Sequence, residues 1–237
     1  MKNDFVENLK KFNRKERFYL VGLALGNKKF TISQEFTDVL SDRFNNENID
    51  FSDAQFVAMD YHLDWIYARL VLSSGKPPIA KFVQDICLFT RDEEQKCITA
   101  TQQDVDLLLA FGDKLDPELI HLLMLEAKGA TRWTNSQLAD KADRLGAIFG
   151  HNGEKWKYIA KPHFAVMSPK PPSHRLTLDG FPEFMAPNGQ LLWIKMPMPK
   201  DLQKVTRCDA VGTNDQHGDF WKVEPQQKGQ SPHDTVQ

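Results

Sequence analysis

The sequence contains little cysteine and no long apolar run. Its three cysteines are an odd number without a CxxC pair, which argues against a disulfide framework and a structural zinc site. No stretch approaches the roughly 18 apolar residues of a membrane span, and the charged start MKNDFVENLKKFNRKERF lacks the apolar core of a signal peptide. We therefore expect a cytoplasmic protein without a membrane partner.

The sequence also has almost no net charge and none of the common enzyme sequence motifs that we looked for. The formal charge is −2, so affinity for nucleic acid would have to come from local patches. We find no phosphate loop, nucleophile elbow or zinc signature, and His151, His163 and His174 are too scattered for a metal-binding motif. One basic cluster fits either a phosphate contact or a solvated helix face, and it consists of Lys10, Lys11, Arg14, Lys15 and Arg17.

Hydrophobic periodicity predicts three helices. The first is TISQEFTDVLSDRF with Ser33 as its N-cap, and the second is longer and runs from Ser52 through AQFVAMDYHLDWIYARLVL. The third is NSQLADKADRLGAIFG, capped by Asn135 or Ser136 and ended by Gly150.

Six segments are typical of strands: DICLFT, CITATQ, DVDLLLAFGD, HLLMLEAKG, HFAVMSPKPP and LLWIKMPM. The third and fourth are nearly continuous apolar runs, as in buried strands of an α/β sheet. We predict an α/β fold whose mixed central sheet has the early helices on one side and the helix carrying Gln137 on the other. The predicted regions are an N-terminal helical segment (1–50), a core (51–170), an irregular proline-rich extension (171–225) and a disordered tail (226–237).

Charged side chains on two of these strands are candidates for chemistry. Alternation places Glu126 and Lys128 on one face of an apolar strand, and Asp106 opens the preceding apolar run. Burial of unpaired charge is costly, so such groups pair with each other, reach solvent or bind a ligand. Two carboxylates with a backbone carbonyl suit Mg²⁺ or Mn²⁺.

This arrangement resembles the PD-(D/E)XK nuclease superfamily, whose restriction-endonuclease-like core carries an acid on one strand and Glu/Asp-x-Lys on the next. The matching residues are Asp106, Glu126 and Lys128, and the resemblance covers about residues 52–168. Gln137 matches a glutamine of the following helix, and Asp60 an acid of the first core helix. The sequence departs from the family pattern in three ways: no proline precedes Asp106, Lys141 stands where the exonuclease-like branch usually has tyrosine, and the early acid Asp60 stands where glutamate is commoner.

The resemblance implies a Mg²⁺-dependent nuclease that hydrolyses phosphodiester bonds, with Mn²⁺ as a substitute and DNA favoured over RNA. Asp106, Glu126 and the Ala127 carbonyl would hold the metal, and Lys128 would position the attacking water. The alternative function is a non-catalytic nucleic-acid-binding or scaffold subunit that retains the fold. The assemblies considered are a homodimer and a larger defence or repair complex.

Each candidate residue also has a purely structural interpretation. Glu126 and Lys128 would then form a salt bridge at a strand end, and Asp106 would cap a turn. Asp60 and Asp64 would be surface residues or partners of Arg69. Gln137 would cap its helix, and Trp133, which could stack on a base, would instead pack the loop before that helix.

Overall fold

A computed structural model describes residues 2–12, 16–26, 30–75, 103–129, 133–173, 176–199 and 201–226. The helices are α1 (Lys2–Phe12), α2 (Glu16–Ala24), α3 (Gln34–Arg43), α4 (Leu63–Ser73) and α5 (Asn135–Phe149). The strands are β1 (Ile49–His62), β2 (Asp104–Asp113), β3 (Ile120–Ala127), β4 (Ala160–Ser168), β5 (Trp193–Lys195), β6 (Gln203–Cys208) and β7 (Phe220–Pro225). The predicted strands DICLFT and CITATQ lie outside the described residues, as does the predicted tail beyond Gln226.

The predicted α/β class with a mixed central sheet is confirmed. Five of the described strands form one sheet in the order β1-β2-β3-β4-β5. β2 is antiparallel to β1 and β3, whereas β4 is parallel to β3 and to β5. The chain crosses from β3 to its parallel neighbour β4 through α5, as a parallel connection requires.

Two apolar clusters cover the two faces of this sheet. On one face, β2, β3 and β4 pack against α1, α4 and α5 through residues such as Leu9, Leu70, Leu108, Met124 and Leu145. On the other face, alternate positions of the same strands pack against α3. The predicted placement of the helices was therefore wrong in part, because α1 lies on the same face as α5 and α3 covers the opposite one.

The long helix predicted from Ser52 is wrong over its first half. Residues up to His62 form β1, and α4 begins only at Leu63. A short apolar run fits both periods, and pairing with β2 decides here for the strand. Phe56 and Ala58 accordingly face one apolar cluster, and Val57 packs against the other.

The other predicted elements agree with the structure. Ser33 caps α3 by accepting a hydrogen bond from the amide of Phe36 at 3.2 Å. Gly150 ends α5 with a φ of 81°, although the residue at the N-cap position of that helix is Thr134. β5 lies in the segment predicted as an irregular extension, yet it joins the main sheet, and β6 and β7 form a separate two-stranded sheet there.

Candidate metal centre

The register of the sheet brings the predicted carboxylates together. Leu107 pairs with Leu125, so the next position places Asp106 opposite Glu126 at the ends of β2 and β3. The backbone amide of Ala127 donates a hydrogen bond to Oδ2 of Asp106 at 2.6 Å. This bond fixes the carboxylate beside β3, and the second oxygen of Asp106 is the one that a metal could take.

Asp60 also lies in this row of the sheet, although it stands on a strand and not on the predicted helix. The pairs Met59–Leu107 and Tyr61–Val105 flank it and place it opposite Asp106. Its φ of 47° is in the left-handed region, which asparagine and aspartate adopt more readily than most residues. The backbone of β1 is therefore irregular at Asp60, the residue that lies in one row with Asp106 and Glu126.

Glu126 is buried and bonded to a lysine that its strand does not carry. Its side chain is 11% exposed and forms an ion pair with Lys141 of α5. The same ammonium donates to the backbone carbonyl of Asp104 at 2.6 Å. From the sequence alone Lys141 is only a departure at the tyrosine position, because no local pattern shows that α5 lies over this end of β3.

The charges around Glu126 are mostly negative. Burial raises the pKa of Glu126 to about 7; Lys141 lowers it, and the neighbouring Asp106 and Asp104 raise it. The carboxylates of Glu126, Asp106 and Asp104 thus share this end of the sheet, and among the described residues Lys141 supplies the ammonium that contacts Glu126. Such an excess of negative charge favours binding of a cation.

Lys128 does not form the salt bridge with Glu126 that the structural interpretation required. Its backbone amide donates to the carbonyl of Met167 at 2.9 Å, and its ammonium lies 5.7 Å from the ring centre of Trp133. Trp133 is itself buried in the apolar core. The packing role considered for this tryptophan is therefore the one that it has, and Lys128 remains half-buried at the edge of the site.

The remaining predicted residues lie at the edge or outside. Gln137 is exposed in the first turn of α5, one turn before Lys141 on the same side of the helix. Asp64 is not a plain surface residue, because it pairs with the buried guanidinium of Arg144. Ala127 is exposed at the end of β3, next to both strand carboxylates.

Comparison of the chain with protein-family models, with curated protein sequences and with solved structures finds no match. None of the helices in the described ranges combines the length and the apolar character that crossing a membrane requires.

Proposed function

We propose that the chain is a Mg²⁺-dependent nuclease that cleaves phosphodiester bonds, with DNA as the favoured substrate and Mn²⁺ as a substitute metal. The observation that carries the proposal is the row of carboxylates on neighbouring strands, in which buried Glu126 lies beside Asp106. The order of elements supports it, since an acid-bearing strand is followed by a strand with Glu-x-Lys, a helix and a parallel strand.

The donor groups fit a hard divalent cation. Asp106, Glu126 and the Ala127 carbonyl offer oxygen ligands alone, which Mg²⁺ and Mn²⁺ prefer over nitrogen or sulfur. When bound, the cation would lower the pKa of a bound water and neutralise charge on the phosphate. Glu126 must be ionised for this role. The cation would then compete with the ammonium of Lys141 for the Glu126 carboxylate, and the ion pair would loosen.

The protein's own groups orient the reaction. The Ala127 amide holds Asp106 in place through its hydrogen bond. Lys128 lies two residues beyond Glu126, and we assign to it the positioning of the attacking water and the stabilisation of charge that develops on the phosphate. Asp60 adds a further carboxylate to the row. A cytoplasmic location and assembly as a homodimer or in a larger complex stay predictions.

One observation favours the alternative function, a non-catalytic nucleic-acid-binding or scaffold subunit. Lys141 already neutralises Glu126, as expected of a retained fold whose site no longer needs a metal. The deciding experiment incubates the full chain with DNA and RNA in Mg²⁺ or Mn²⁺, and then in EDTA. Cleavage that EDTA stops and that Asp106→Asn abolishes supports the nuclease; intact substrates with every divalent metal would refute it.

The Asp60→Asn variant is expected to cut at least about tenfold more slowly than wild type while it still folds. Asparagine tolerates the left-handed backbone of this position, so the fold is kept while a charge of the site is lost. The matched control is Asp64→Asn on the adjoining helix. It removes the carboxylate that pairs with the buried guanidinium of Arg144, which should cost on the order of 3 kcal/mol in unfolding free energy while cleavage at low temperature persists. Equal cleavage rates for wild type and Asp60→Asn would remove Asp60 from the site.

A further inference from the structure

A second group of potential metal ligands lies on the opposite face of the sheet, at the other end of β3. His121 is the second residue of β3, His163 lies on β4, and Glu47 stands four residues after the end of α3. One ligand atom from each of these side chains lies within 4.8 Å of the other two. The odd-numbered positions of β3 face α3, whereas Glu126 faces α5, so this group is separate from the candidate nuclease site.

The two imidazoles are already in near-ligating positions. Nδ1 of His121 and Nε2 of His163 are 2.8 Å apart, with the rings stacked at an interplanar angle of 27°. In a tetrahedral zinc site with bonds of about 2.0–2.1 Å, two ligand atoms lie about 3.4 Å apart. An opening of roughly half an ångström, together with a shift of the His163 proton from Nε2 to Nδ1, would therefore let one ion replace the hydrogen bond between the rings.

A buried carboxylate orients His121 as a metal ligand. Nε2 of His121 lies 2.8 Å from Oδ2 of Asp113, and the other oxygen of Asp113 accepts the amides of Leu115 and Asp116 at 2.7 Å each. With its proton on Nε2, His121 presents the lone pair of Nδ1 to the group. Histidine ligands of zinc typically donate their other ring N–H to a carboxylate in this way.

The group opens to a space that a further ligand can enter. His163 and Glu47 line a cavity of about 350 Å³ whose wall also includes Lys161, Asn152 and Glu183. Lys161 holds the Glu47 carboxylate through an ion pair. The acidic residues at the group and its cavity are Glu47, Asp113 and Glu183, against the basic Lys161 and Arg43, and this excess of one negative charge favours a cation when both imidazoles are neutral.

We propose that Glu47, His121 and His163 bind one Zn²⁺ ion, with Asp113 orienting His121 and a fourth position open to the cavity. Two imidazoles and one carboxylate select a transition metal over Mg²⁺, because nitrogen ligands suit zinc and the hard magnesium ion takes oxygen. This proposal does not depend on the nuclease function.

The test measures binding of Zn²⁺ to the full, EDTA-dialysed chain by calorimetry, with Co²⁺ as a spectroscopic probe. We expect one Zn²⁺ per chain, a tetrahedral Co²⁺ absorption spectrum, and no competition from excess Mg²⁺. Glu47→Gln should weaken Zn²⁺ binding at least about tenfold, the scale of losing even an outer partner of a metal site. That variant should fold, since the pair that it breaks with Lys161 is partly exposed and contributes little.

The matched control is Glu183→Gln, which removes another carboxylate of the same cavity and should leave Zn²⁺ affinity unchanged. Asp106→Asn should also bind Zn²⁺ as wild type does, which separates this site from the nuclease site. No Zn²⁺ binding by wild type, or equal affinity in wild type and Glu47→Gln, would overturn the proposal and leave His121 and His163 as a structural hydrogen-bonded pair.

Discussion

The Lys128→Ala variant is expected to lose Mg²⁺-dependent cleavage by roughly 100-fold or more while it melts within a few degrees of wild type. The loss of rate is the usual scale for removing one group that stabilises the transition state. Stability should hardly change because Glu126 takes its ion pair from Lys141 and not from Lys128. The contact that is lost lies over the Trp133 ring, and such contacts contribute about 0.5–1 kcal/mol.

Lys157→Ala is the matched control for this variant. Lys157 also lies over an aromatic ring, 4.9 Å from the centre of Tyr158, and it belongs to the loop before β4. We expect a similarly small change in melting temperature and a wild-type cleavage rate. Cleavage rates of the two variants under single-turnover conditions show whether Lys128 acts on the cleavage step or only packs against an aromatic ring. If Lys128→Ala cuts as fast as Lys157→Ala, the role assigned to Lys128 is wrong.

The Lys141→Met variant is expected to lose on the order of 3 kcal/mol of unfolding free energy at alkaline pH in EDTA, and much less at pH 5. Both partners of the Lys141–Glu126 pair are nearly buried, and the substitution leaves the carboxylate without its counter-ion. The measurement is chemical denaturation across this pH range. Lys10→Met, which breaks an exposed pair with Glu7, should change stability by less than about 1 kcal/mol at every pH.

The direction of the pH dependence follows from Glu126. Its pKa is raised from 4.5 to about 7 in the folded protein, so the protonated acid favours folding; this contribution is complete below pH 4.5 and disappears as the pH rises through 7. Removing Lys141, whose charge lowers this pKa, raises it further and makes the ionised form more costly. The double variant Glu126→Gln with Lys141→Met should therefore lose the pH dependence, and an equal destabilisation of Lys141→Met at pH 5 and at alkaline pH would contradict this account.

Magnesium adds a second comparison with the same variant. If the carboxylates form a cation site, Mg²⁺ should recover part of the stability that Lys141→Met loses, because the ion replaces the missing positive charge. A scaffold subunit without a metal site would show no such recovery. This result tests the proposed cation site without any cleavage assay, and so does not require a nucleic-acid substrate.

The sequence by itself determined those helices and strands for which the hydrophobic pattern and the residues at the ends point to the same element. β2 and β3 are long apolar runs, α5 combines an apolar stripe with Gly150 at its end, and α3 begins at the Ser33 cap. In the two helices one period alone fits the pattern, whereas β2 and β3 are identified by the length of their apolar runs and by the turn residues that bound them. The prediction that Asp106 and Glu126 lie on neighbouring strands followed from the same runs, and the register confirms that they are adjacent.

Only the tertiary structure decided the identity of β1 and the partners of the charged groups. The run around Phe56 fits a helix as well as a strand, and its pairing with β2 is a contact between residues about fifty positions apart. Lys141 and Glu126 are 15 residues apart in the sequence. The alternation of side chains along β3 nevertheless suggested Lys128 as the partner of Glu126. His121 and His163 are 42 residues apart and meet because β3 and β4 are parallel neighbours. Local patterns specify which face a side chain takes, but which distant side chain it meets depends on how the sheet and its helices pack.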